Sequence, residues 1–193
     1  MSSSLNADFN EVIELIKRGR EFSQASFEPI YYLVFSPYDI LAVKRQMKAW
    51  EARLTNDGWK VHKFSIADAI REVFESTPSI IKSAWHKKDA EAPQQWQKTN
   101  VALANRLEKG TLQSKLEDLL TELEHEPNAI LLVTDLEALH PYMRIGSIEG
   151  QLQGKFSVPT VFFYPGVRTG KTRLKFLGFY PEDGNYRSEH VGG

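Results

Sequence analysis

The side chains best equipped for chemistry lie in the last third of the chain. Gly166-Val167-Arg168-Thr169-Gly170-Lys171-Thr172 combines glycines, a lysine and a threonine as a phosphate-binding loop does, where backbone amides wrap the anion and the lysine neutralises it. The spacing is one residue short, because three residues rather than four separate the glycines that precede the lysine. A phosphate loop also feeds a helix whose N-terminus faces the anion. Here Leu174-Lys175-Phe176-Leu177 reads as a strand instead. The segment is therefore expected to be a glycine-bearing hairpin loop with solvated Arg168 and Lys171.

Asp135 ends an apolar strand, where a nucleotide hydrolase places a magnesium-binding carboxylate. The first strand, however, runs out through Phe35-Ser36-Pro37-Tyr38-Asp39, with neither glycine nor lysine, so no nest of backbone amides is expected there. Thr134-Asp135-Leu136-Glu137 instead matches a capping box, with Thr134 as the cap and Glu137 reaching back. Glu137 and His140 have the spacing of a carboxylate–histidine metal pair. Pro141 disfavours helical geometry at His140, and His62, His86, His125 and His190 are scattered. Ser147 lies in Ile145-Gly146-Ser147-Ile148-Glu149, without the Gly-x-Ser-x-Gly elbow of a hydrolase, and reads as a helix-start cap. No catalytic residue, cofactor or metal ligand is assigned.

Basic and aromatic residues interleave near the C-terminus. Arg168, Lys171, Arg173 and Lys175 would suit phosphates, with the aromatics stacking on bases. Exposed aromatics beside arginine equally suit protein anchors. The residues assigned to partner binding are Tyr164, Arg168, Lys171, Arg173, Tyr180, Tyr186 and Arg187.

The elements that must position these residues follow from hydrophobic periodicity. Ala129 to Thr134 and Val158 to Tyr164 are short, almost wholly apolar runs, the pattern of strands buried on both faces of a parallel sheet. Ile30 to Phe35 is a third such run, Trp59 to Ser65 alternates as a half-buried strand, and Leu174 to Phe179 is expected to be a last strand beside the fourth. Helices are expected after a cap at Asp8, from Asp39 to Leu54, from Ile66 to about Glu75, over 94–109 and 111–126 around Gly110, and from Ile145 to about Gln153. Residues 76–110 form an inserted helical or lid-like segment whose polar stretch 86–93 reads as a linker. The tail 181–193 shows no periodicity. The expectation is one α/β domain over 1–193, a three-layer sandwich on a mostly parallel sheet of about five strands, resembling a P-loop-type domain without a working phosphate loop.

A net charge of -1 argues against a globally electrostatic nucleic-acid binder, and the absence of cysteine excludes disulfides and thiolate metal ligands. No apolar run approaches a membrane span, and a cytoplasmic location is expected.

Asp135-Leu136-Glu137-Ala138-Leu139-His140-Pro141, then Arg144, then Val158 through Gly166, Leu174-Lys175-Phe176-Leu177 and Tyr186-Arg187 resemble the BrxB family of bacteriophage-exclusion (BREX) systems. That resemblance implies a non-catalytic adaptor in a DNA-modifying phage-defence complex. Its implied partner is above all a PglZ-like alkaline-phosphatase-like component, with a BrxC-like ATPase or a PglX-like adenine methyltransferase as others. DNA is implied as an indirect contact.

Overall fold

The computed structural model describes residues 2–21, 28–170, 173–184 and 188–193. Its elements in chain order are α1 (Ser2–Glu21), β1 (Ile30–Phe35), a 3-10 turn (Pro37–Asp39), α2 (Ile40–Asn56), β2 (Lys60–Ser65), α3 (Ile66–Glu75), α4 (Ser79–Glu91) and α5 (Trp96–Arg106). There follow α6 (Leu112–Leu123), β3 (Ala129–Thr134), a 3-10 turn (Leu136–Leu139), α7 (Ile145–Gln151), β4 (Thr160–Thr169), β5 (Arg173–Phe176) and β6 (Glu189–Gly192). The sheet order is β2-β3-β4-β1-β6, all parallel, with β5 antiparallel to the far end of β4.

Every residue of β1 and β3 is buried, as expected of strands covered on both faces. Their alternate side chains feed two cores. Tyr31, Leu33, Ile130, Leu132, Val161 and Phe163 meet α1 and α2 on one face. Tyr32, Val34, Leu131, Val133 and Phe162 meet α3, α6 and α7 on the other. The result is the expected three-layer α/β sandwich. On α6 the stripe Leu112, Leu116, Leu120 and Leu123 is buried, each side chain contributing about 2 kcal/mol relative to exposure. Ser65 caps α3 as expected, its hydroxyl accepting from the Asp68 amide.

The apparent phosphate loop is a β-hairpin arm. β4 continues to Thr169 and pairs with β5, Gly166 opposite Phe176 and Thr169 opposite Arg173. Gly166 is required there, because an added Cβ would lie 2.5 Å from the Lys175 carbonyl oxygen and 2.5 Å from the Tyr164 ring. The last antiparallel strand ends at Phe176 rather than Phe179, since the chain turns through Leu177, whose amide bonds back to the Pro165 carbonyl at 2.9 Å.

Four local expectations differ from the structure. Asp8 caps nothing, because α1 starts at Ser2 and carries Asp8 in its interior. The polar stretch 86–93 is mostly the end of α4, in which Trp85 is the one buried residue. Ser147 makes no cap, because Arg144 occupies that position at the start of α7. The tail is not wholly irregular, since Glu189–Gly192 forms β6 along β1, Tyr31 opposite Glu189 and Val34 opposite Gly192. Four residues are too few to show a period; backbone bonding to β1 makes the strand.

Candidate functional site

In a parallel sheet the loops after each strand gather at one edge, where ligands of open α/β sheets bind. Here that edge collects Ser36 after β1, Ser65 at the end of β2, Asp135 after β3 and the Pro165 end of the parallel part of β4. α2 starts beside it and brings in a lysine that the sequence reading did not single out.

Lys44 Nζ bridges two carboxylates, 2.7 Å from Asp135 Oδ1 and 2.7 Å from Glu137 Oε1. The other Asp135 oxygen accepts from Ser65 Oγ at 2.8 Å and Thr134 Oγ1 at 2.9 Å. Burial alone would raise the Asp135 pKa, but the bonds from Lys44, Ser65 and Thr134 outweigh it and hold the carboxyl below the ordinary aspartate range. Lys44 is the mirror case. Its partial burial opposes the charge, and the two carboxylates outweigh that and raise its pKa. The capping box is not formed: Asp135 is left-handed, at φ 61 and ψ 36, and starts the Leu136–Leu139 turn without a side-chain cap. Thr134 spends its hydroxyl on Asp135 and Glu137 faces Lys44.

After β1, Ser36 Oγ accepts from the Tyr38 amide at 3.3 Å and starts a tight 3-10 turn with Pro37 at its head. The turn leaves Tyr38 98% exposed and Leu41, one helical turn before Lys44, 65% exposed.

A second group borders the cluster through the Leu136–Leu139 turn. His140 Nδ1 lies 2.5 Å from Tyr180 Oη, and Phe179 stacks on Tyr180 at 4.8 Å between centroids. The Arg144 guanidinium sits 4.8 Å over the Tyr180 ring, a cation–π contact. Phe179 remains 63% exposed. His140 and Glu137, considered as a metal pair, thus face different partners, Tyr180 and Lys44. Among the described residues no group of three or more His, Asp or Glu has metal-binding proximity.

The residues assigned to partner binding separate. Tyr164 is 1% exposed, its ring against Tyr32 and Phe176. Arg168 donates to the His190 carbonyl at 2.9 Å and to the Gly170 carbonyl at 3.2 Å, fastening the hairpin arm to β6. Arg173 is exposed and lies 3.6 Å from Glu182. Tyr180 is half-buried within the His140 group. Lys171, Tyr186 and Arg187 lie outside the described residues.

One buried polar pair stands inside the sheet. Tyr32 Oη donates to Glu149 Oε2 at 2.5 Å, joining β1 to α7. Burial pushes the Glu149 pKa up to about 7; the Tyr32 bond opposes this, while Glu28 and Asp183 add to it. His190, whose ring meets Tyr32 edge-on at 5.3 Å, is pushed down to about 4 by burial and by Arg168.

Among the described residues no helix is long and apolar enough to cross a membrane. Neither the curated proteins nor the solved structures contain a match to this chain. The family model for the BREX protein BrxB matches residues 63–191, from within β2 to within β6, and the chain belongs to the BrxB family.

Proposed function

We propose that this BREX phage-defence component is a non-catalytic adaptor, and that the carboxyl edge of its sheet docks the PglZ-like phosphatase-like component. Family membership supplies the system. The observation that carries the docking reading is the pairing of an internally bonded ion cluster with exposed apolar side chains. Asp135 and Glu137 already share Lys44, so their charges are spent on holding α2 to the end of β3. Tyr38, Leu41 and Phe179 point outward from the same edge. Aromatic and large aliphatic side chains on a rigid base are the usual anchors of a protein interface. Tyr180 supports Phe179 from beneath, and Arg173 with the segment holding Tyr186 and Arg187 would extend the contact.

Co-expression with the PglZ-like protein, followed by size exclusion with light scattering, tests this. A co-eluting complex that is lost in the double variant Tyr38→Ala plus Leu41→Ala, while Tyr186→Ala plus Arg187→Ala weakens it, is the expected result. Separate elution of the wild-type proteins would end the PglZ reading and move the search to the BrxC-like ATPase and the PglX-like methyltransferase. Intact complex formation by the first variant would move the docking surface away from this edge.

A further inference from the structure

The inserted helices α4 and α5 carry a charge unlike the rest of the chain. Residues 79–109 hold six Lys and Arg against three Asp and Glu, a net of +3, whereas the whole chain is -1. The two helices are joined by only four residues and tied together by Thr99 Oγ1 donating to Asp89 Oδ1 at 2.6 Å. That bond holds the last turn of α4 beside the first turn of α5. One end of the pair therefore gathers His86, Lys87, Lys88, Trp96 and Lys98, all exposed.

Asp89 and Glu91 share this end with Lys87, Lys88 and Lys98, which leaves it a net +1. Asp89 faces Thr99, and Glu91 reaches only Lys87, at 3.8 Å. Lys88 and Lys98 form no ion pair among the described residues. Trp96 is 50% exposed, although α5 has no buried residue that would need an indole to cover it. Arg168 and Arg173 are committed by contrast, Arg168 to two backbone carbonyls and Arg173 to Glu182.

We propose that the joined end of α4 and α5 binds single-stranded nucleic acid, with Lys87, Lys88 and Lys98 on phosphates and Trp96 stacked on an unpaired base. Exposed ammonium groups attract a phosphate backbone by releasing its counterions, and an exposed indole gives every base a stacking surface without reading its sequence. An acidic protein surface fits less well. Lysine is depleted at protein interfaces, and this end offers lysines beside one exposed aromatic ring. The inference is independent of the docking edge proposed for the PglZ-like partner and tolerates its failure.

Fluorescence anisotropy of a labelled 20-nucleotide poly-dT strand at about 50 and 200 mM salt tests it. The wild type binds at the lower salt and loses at least roughly tenfold in affinity at the higher. Lys87→Glu, Lys88→Glu and Lys98→Glu combined lower affinity at least tenfold and flatten the salt dependence. Trp96→Ala weakens binding severalfold and leaves the salt slope unchanged, which separates stacking from charge. These side chains are exposed, and circular dichroism checks that each variant is folded. Absence of wild-type binding at low salt, or equal binding by the triple variant, overturns the proposal. So does a triple variant that loses co-elution with a BREX partner when the wild type binds no oligonucleotide, since the ligand is then an acidic protein.

Discussion

Replacing Glu149 with glutamine should stabilise this protein by an amount that grows as pH rises from 4.5 to about 7 and is then constant. The carboxyl of Glu149 is buried against Tyr32 on β1, and its pKa rises from an ordinary 4.5 to about 7 in the folded chain. A raised carboxyl pKa means that the folded chain binds more protons than the unfolded one between those two values. Stability therefore falls as pH rises from 4.5 towards 7 and stays lowered above it. At about 1.4 kcal/mol per pH unit, holding the carboxylate ionised in the fold at pH 8 costs on the order of 3 kcal/mol. Glutamine keeps an oxygen to accept from Tyr32 and never ionises. That cost should vanish, less whatever the new amide hydrogens lose for want of partners.

His190 works in the opposite direction. Its pKa is depressed to about 4 from 6.5, so its neutral form stabilises the fold above 6.5 and that contribution is lost as pH falls towards 4. The two slopes nearly cancel between 4.5 and 6.5, and the wild type should be almost flat there. In Glu149→Gln the rising limb from His190 is uncovered. Urea unfolding followed by tryptophan fluorescence at pH 5, 6, 7 and 8 measures both effects. The expected result is a gain of roughly 2–3 kcal/mol at pH 8 that shrinks to under about 1 kcal/mol at pH 5. An equal change at both pH values, or a loss at pH 8, would refute the account, because Glu149 would then be serving the fold as an anion.

Two further outcomes follow from the geometry. Lys44→Met should lower stability by about 1 kcal/mol at pH 7, a small effect because Lys44 is half exposed and Asp135 keeps Ser65 and Thr134. Since the Asp135 pKa is depressed, its share of that loss should fade as pH falls below the ordinary aspartate value of 3.8; denaturation at pH 3 and 7 giving identical differences would remove the ionic explanation. Gly192→Ala should detach β6, because the residue sits at φ +78 and a Cβ would approach the Val34 carbonyl oxygen to 2.4 Å. A loss above about 2 kcal/mol with faster amide exchange in β1 is expected, and an unchanged exchange pattern would show that β6 tolerates the intrusion.

The sheet core was determined locally. Apolar runs such as Ala129–Thr134 and Ile30–Phe35 can be satisfied only by burial on both faces, so the parallel α/β class is written in their composition. The leucine stripe of α6 and the Ser65 cap were legible for the same reason, each being a pattern within a few residues. The three-residue glycine spacing, with a strand pattern rather than a helix at Leu174–Leu177, was enough to read the apparent phosphate loop as a hairpin. Other features depended on residues far apart in the chain. Lys44 meets Asp135 and Glu137 across some ninety positions, and that contact exists only because β3 and β4 enter the sheet between β2 and β1. Tyr164 looked like a loop anchor, yet the extension of β4 and its pairing with β5 put it in the core. β6 had no period to read and is defined by the open edge of β1. Local periodicity fixes which residues must hide from water; which charges then meet at the sheet edge is set by strand order, a property of the whole chain.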